Sequence, residues 1–135
     1  MRFYFLIFLT LFSCSPSSPK DFRVEGETHC KQLISILEKI ETREDLLAAE
    51  TLLKKKFNQI VTLVVTAEKY LEKNPGAKGI GPNRYNDDLN YELKRIRRIS
   101  GAKEILERIQ KQPLIRLDQS ETQKGSSALS GSYDR

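Results

Sequence analysis

The sequence has no tryptophan, one methionine, one histidine and two cysteines. Each scarcity excludes something. Two cysteines allow at most one disulfide, so the chain is not a disulfide-stapled scaffold. One histidine and two cysteines fall short of the four ligands of a structural zinc site, and no carboxylate spacing completes a catalytic one. His29 lies near the start of the chain's folded part, which leaves no nucleophile–His–acid arrangement to propose. Phosphate-loop and dinucleotide-binding signatures are absent. No apolar run approaches the roughly twenty residues that span a bilayer. With only 8% aromatic residues, a core must be built from Leu, Ile and Val. Together these absences argue for a chain with no enzymatic activity, no cofactor and no metal.

What is present begins at the N-terminus. Arg2 precedes an apolar run of ten residues, FYFLIFLTLF, broken once by a threonine. Ser13 and Cys14 follow, then the polar stretch SPSSPKD. Ten apolar residues suit the hydrophobic region of a secretory signal. Leu11-Phe12-Ser13-Cys14 resembles the lipobox of bacterial lipoproteins: a leucine three before the cysteine, a small residue just before it, then the cysteine. Phe12 departs from the pattern, which prefers a small or β-branched residue there. The resemblance covers about the first fourteen residues. It implies removal of residues 1–13, a diacylglyceryl thioether on Cys14, and attachment on the outer side of a bacterial membrane. Ser15 in the following position implies the outer membrane in a Gram-negative cell. A lipidated Cys14 leaves Cys30 without a disulfide partner, as a buried thiol or a bridge between chains. An unmodified Cys14 permits a Cys14–Cys30 bridge instead.

Residues 15–26 are rich in Ser and Pro, and with Cys14 they read as a flexible tether, 14–26. The rest reads as an all-α domain over 27–117. A first helix is expected over 27–41, where Cys30, Leu33, Ile34, Leu37 and Ile40 form one stripe. Thr42 reads as the cap of a second helix, with Asp45 three residues on. In that helix Leu46, Glu50, Leu53, Phe57, Ile60, Val64, Ala67 and Leu71 step alternately by four and three. The register outweighs the strand propensity of the β-branched run 60–66. Asn74-Pro75-Gly76 ends it. A third helix, capped by Asn86, carries Leu89, Leu93, Ile96, Ile99, Ala102, Leu106 and Ile109, with a kink at Ser100-Gly101 and a stop at Gln112-Pro113. The tail 118–135 reads as disordered. The expected architecture is a three-helix antiparallel bundle, or a long helical hairpin with a third helix packed on it.

Two features carry binding chemistry. The third helix contains Lys94, Arg95, Arg97 and Arg98 with no acidic residue between them. On an exported protein they suit an anionic lipid surface or cell-wall polymer, where each basic residue adds about 1 kcal/mol. The connection Lys78-Gly79-Ile80-Gly81-Pro82-Asn83-Arg84 resembles the hairpin of helix-hairpin-helix modules. That resemblance implies backbone amides at Gly79 and Gly81 close to a nucleic-acid phosphate, with Lys78 and Arg84 adding charge. Tyr85 stands where such modules place a small alanine. The leading expectation is a lipid-anchored helical module that holds another envelope protein or an anionic surface, with a homodimer also open. The alternative is an exported nucleic-acid-binding module.

Overall fold

A computed structural model describes residues 15–130; for 124–130 it defines the backbone only. The signal segment and Cys14 lie outside the described residues, as do residues 131–135. The described chain is all-helical: α1 (Pro19–Leu37), α2 (Arg43–Lys73), α3 (Asn86–Arg97) and α4 (Ala102–Ser130).

α1 begins eight residues earlier than its apolar stripe suggests. Ser18 is extended (φ −141°, ψ 159°), and its Oγ accepts the Asp21 amide at 3.2 Å. Pro19 occupies the first turn, where its missing N–H costs nothing. The Ser/Pro composition that reads as a tether is therefore a helix start, and residues 15–18 are what remains before the helix. Phe22, inside this stretch, is 3% exposed. At the other end α1 stops at Leu37, and the Lys39 and Ile40 amides bond three residues back, to Ile36 and Leu37.

Thr42 caps α2 as the sequence indicates. Its Oγ1 accepts the Asp45 amide at 3.1 Å, and Asp45 Oδ2 accepts the Thr42 amide at 2.9 Å, a reciprocal capping box. α2 has 31 residues, about 46 Å at 1.5 Å per residue. Leu46 and Leu53 of the heptad register are fully buried, and Phe57 and Ile60 pack on the core. Further along, Ala67 stays buried but Val61 and Leu63, outside the register, join it, while Val64 is left 39% exposed. A helix of 3.6 residues per turn drifts from a strict seven-residue repeat, so the stripe rotates off its partner.

The expected third helix is two helices. α3 ends at Arg97, and the Ile99 and Ala102 amides bond back to Ile96 and Ile99 at 2.9 and 3.0 Å. Gly101 adopts φ +73°. The break is a reversal and not a kink. Asn86 does not cap α3 either. The cap position belongs to Tyr85, whose amide donates to Asn83 Oδ1 at 2.9 Å. α4 then runs through Pro113, which is buried, and on to Ser130. The expected stop at Gln112-Pro113 and disorder from 118 do not hold over 118–130. A helix tolerates a proline when packing offsets its lost bond. Here Arg116 donates to Asn58 Oδ1 and Thr62 Oγ1 of α2 at 3.1 and 2.9 Å, and Ser120 to Glu68 at 3.4 Å.

Side-chain pairs fix the directions. Lys56 donates to Gln32, and Phe22 stacks at a tilt on Tyr70, so α1 and α2 are antiparallel. Glu50 with Arg108 and Asn58 with Arg116 make α2 and α4 parallel. Asn83 with Cys30 and Arg95 with Leu37 make α3 run along α1. The helices pack in the cyclic order α1–α2–α4–α3, with α2 and α3 diagonally across the bundle. The main core gathers Leu33, Leu37, Ile40, Leu46, Leu53, Ile96, Ile105, Leu106 and Ile109 at one end. A smaller one, of Phe22, Leu63 and Ala67 with Tyr70 and Ile80, lies at the other.

The left-handed Gly101 reverses the sign of a substitution there. In a continuous helix, alanine would stabilise by about 1 kcal/mol. At φ +73°, Gly101→Ala is expected to destabilise by about 1 kcal/mol. Its Cβ would also meet Arg43 Nε at 3.0 Å. Urea denaturation followed by circular dichroism measures the difference, and a higher midpoint in the variant would contradict the reversal.

Candidate functional site

Cys14 lies immediately before the described chain. Ser15 and Pro16 lie beside the α1–α2 seam, in a cleft of about 530 Å³ walled by Glu25, His29, Asn58 and Thr62. His29 Nε2 is 3.6 Å from Glu25 Oε1. At 3.3–3.6 Å per residue, the five steps from Cys14 to Pro19 span at most about 18 Å. Ser15 and Pro16 fold back beside the middle of α2, level with Glu25 and His29 of α1.

The basic residues of α3 divide by role. Arg95 is turned inward. Its Nε donates to Glu92 Oε2 at 2.8 Å, and its two terminal nitrogens donate to the Ile40 and Leu37 carbonyls at 2.8 and 2.7 Å. It serves the unpaired carbonyls at the end of α1, a need of every helix C-terminus. The sequence groups it with its neighbours because alternating charge alone does not show which side chain faces a helix end. Lys94, Arg97 and Arg98 are exposed and make no ion pair among the described residues. They sit at the end of the bundle where α1 finishes.

The turn 78–84 is built differently from a phosphate-binding hairpin. Gly81 has φ +80°, which lets the chain turn. Ile80 packs into the smaller core, and Asn83 Nδ2 donates to Cys30 Sγ at 3.1 Å. Arg84 Nε is 3.1 Å from Glu27 Oε2. Gly79 and Lys78 are exposed. Because α2 and α3 lie diagonally across the bundle, the close helix pair of that module is missing. The turn instead closes the bundle over Cys30.

Cys30 is 5% exposed and free. Burial pushes its thiol up, with the Asn83 amide working the other way. A bridge between chains would require this site to open. Among the described residues, no three His, Cys, Asp or Glu side chains gather where a metal could be held, and no helix is long and apolar enough to cross a membrane.

Two features are not apparent from the sequence. Glu50, the polar exception in the heptad register, is the partner of Arg108, which donates Nε to Oε1 at 2.8 Å and a terminal nitrogen to Oε2 at 2.6 Å. With Lys54 at 2.8 Å, these cations hold the Glu50 carboxyl down at about 2. The other is an apolar groove of about 210 Å³ between α1, α2 and the turn. Phe22, Leu63, Val64, Ala67, Leu71 and Ile80 line it. It lies where α1 and α2 extend past the start of α3, with Ile80, Gly81 and Asn83 of the turn along its edge. Compared with known proteins, the chain matches no family model, no curated protein and no solved structure.

Proposed function

We propose that this is a lipid-anchored, exported helical module without catalytic activity, which holds a partner or an anionic surface at a membrane. The observation that carries the reading is the junction of the lipobox-like Leu11–Cys14 sequence with a helix that starts at Pro19. The chain passes from an anchor-type cysteine to an ordered domain in four residues. A diacyl anchor provides stable membrane attachment, where a single chain is marginal.

The short junction keeps the membrane near the flank of the α1–α2 pair beside which Ser15 and Pro16 lie. Lys94, Arg97 and Arg98 lie near the other end of α1, about 28 Å from Pro19 along its 19 residues. As exposed cations they are available to an anionic envelope polymer or to an acidic face of another envelope protein.

Cys14→Ala tests the reading. The variant is expected to accumulate as an uncleaved precursor and to lose all metabolic labelling by fatty acid. Labelling that persists in the variant refutes the anchor.

A further inference from the structure

The cleft beside Ser15 and Pro16 contains two polar atoms whose needs the fold does not meet. Glu25 and His29 stand one turn apart on α1 and share a face. Gln59 lines the same cleft from α2. His29 turns Nε2 toward the Glu25 carboxylate at 3.6 Å, which leaves Nδ1 as an acceptor in the neutral ring. Nδ1 is buried and has no hydrogen-bond partner among the described residues. Gln59 Oε1, a second acceptor, is buried and unpartnered in the same way. Buried acceptors without a donor are rare, because each loses its water and gains nothing in return. Lys55 also borders the cleft, but its side chain is exposed and neither acceptor bonds to it. The site therefore lacks a donor. With Glu25 beside the two acceptors, the donor that suits it carries several N–H groups and a positive charge.

We propose that the cleft receives the α-ammonium of Cys14, the N-terminus left when residues 1–13 are removed, with Gln59 Oε1, His29 Nδ1 and the Glu25 carboxylate accepting its N–H groups. This occupant depends on the anchor reading, which supplies the cleavage before Cys14. Covalent geometry selects it. Ser15 lines the cleft, and consecutive Cα atoms are about 3.8 Å apart, so cleavage creates the amine at the cleft's edge. Held there by the chain, it outcompetes any free amine through its effective concentration. The donor and acceptor inventories also match, since an ammonium brings an N–H for each of Gln59, His29 and Glu25. Small turns of the His29 ring and the Gln59 amide about their last torsions present both acceptors to a donor seated in the cleft. The uncleaved chain has a neutral amide at the same place. Its single N–H serves one acceptor and gains little from the Glu25 charge. The clamp thus forms only after cleavage, and it ties the bundle to its own anchor.

The experiment uses the processed full chain, purified in detergent from the membranes of an expressing bacterium. Intact mass shows the loss of residues 1–13 and the gain of the diacylglyceryl group. The protein is then treated near neutral pH with a water-soluble acetylating reagent. Acetylation at Cys14 and at Lys20 is followed over time by mass spectrometry of the N-terminal peptides. The Cys14 amine is expected to react about tenfold faster in Gln59→Leu and in Glu25→Gln than in the parent, the effect of losing one charge-assisted hydrogen bond. Gln59→Glu keeps an acceptor and should stay as slow as the parent. The exposed Lys20 amine should react at one rate in all four proteins, which controls for the reagent. The Glu25 side chain is 41% exposed, so Glu25→Gln preserves the fold even where Gln59→Leu does not. Equal Cys14 rates in the parent, Gln59→Leu and Glu25→Gln would overturn the proposal. So would a Cys14 nitrogen that already carries a fatty acyl amide in the isolated protein. A chain that retains residues 1–13 overturns the anchor reading and the clamp together. A cleaved chain without the diacylglyceryl group refutes the anchor alone, and its Cys14 rates still decide the clamp.

Discussion

Arg95→Ala is expected to lower the free energy of unfolding by about 2–3 kcal/mol, while Arg97→Ala and Arg98→Ala change it by less than about 0.5 kcal/mol. The three residues lie within four positions and look alike in sequence. Their surroundings differ. Arg95 makes three hydrogen bonds, two of them to carbonyls at the end of α1. Removing it leaves Glu92, whose side chain is 11% exposed, as a carboxylate with no counter-ion. It also returns the Leu37 and Ile40 carbonyls to water or to nothing. The full penalty for breaking a buried pair is about 3–5 kcal/mol, and partial exposure of Arg95 reduces it here. Arg95→Lys should recover little, because an ammonium cannot make the guanidinium's fork of bonds to three acceptors. Chemical denaturation of the four proteins gives the comparison directly. Equal midpoints for Arg95→Ala and Arg97→Ala would show that Arg95 does not hold the helix end.

Phe22→Ala is expected to cost about 3–4 kcal/mol, within the range for a buried phenylalanine. On a flexible tether the same substitution would cost nothing. Phe22 is 3% exposed, and its ring centroid lies 5.4 Å from that of Tyr70 at an interplanar angle of 51°. It joins the first turns of α1 to the last turns of α2. The loss should be local as well as global. Amide exchange should speed up most in 19–26 and 66–73, with α3 and the first turns of α4 least affected. Denaturation midpoints with exchange read by mass spectrometry would measure both. A variant as stable as the parent would mean that α1 begins nearer residue 27.

These predictions mark where the sequence was informative and where it was not. Helix boundaries that rest on local chemistry were legible. Thr42 and Asp45 are three apart because a capping box needs that spacing, and Asn74-Pro75-Gly76 stops a helix wherever it occurs. The all-helical class followed from the register through Leu46, Leu53 and Phe57. The errors came where one pattern supports two structures. Ser18-Pro19 fits both a linker and a helix start, and composition favoured the linker until burial of Phe22 is taken into account. Ser100-Gly101 fits both a kink and a reversal, and only the positive φ of Gly101 separates them. Pro113 breaks an isolated helix, but α4 leans on α2 on both sides of it through Arg108 and Arg116. Among the site residues, Lys94, Arg97 and Arg98 stand exposed where an exposed role needs them. Arg95 does not, because its function depends on a carbonyl more than fifty residues away.

The parallel alignment of α2 with α4 has a consequence for how the molecule assembles. α1 and α2 meet across a turn of five residues, so their hairpin closes a short loop and forms from neighbouring contacts. α4 reaches α2 through hydrogen-bond partners 52 to 58 positions away, as in Arg108 with Glu50 and Ser120 with Glu68. The entropy of closing that larger loop must be met before its contacts stabilise anything. Assembly therefore runs from the hairpin outward, with α4 docking late along a track that α2 already presents. The same order in reverse makes the far half of α4, past Pro113, the first part of the bundle to detach when conditions weaken the fold.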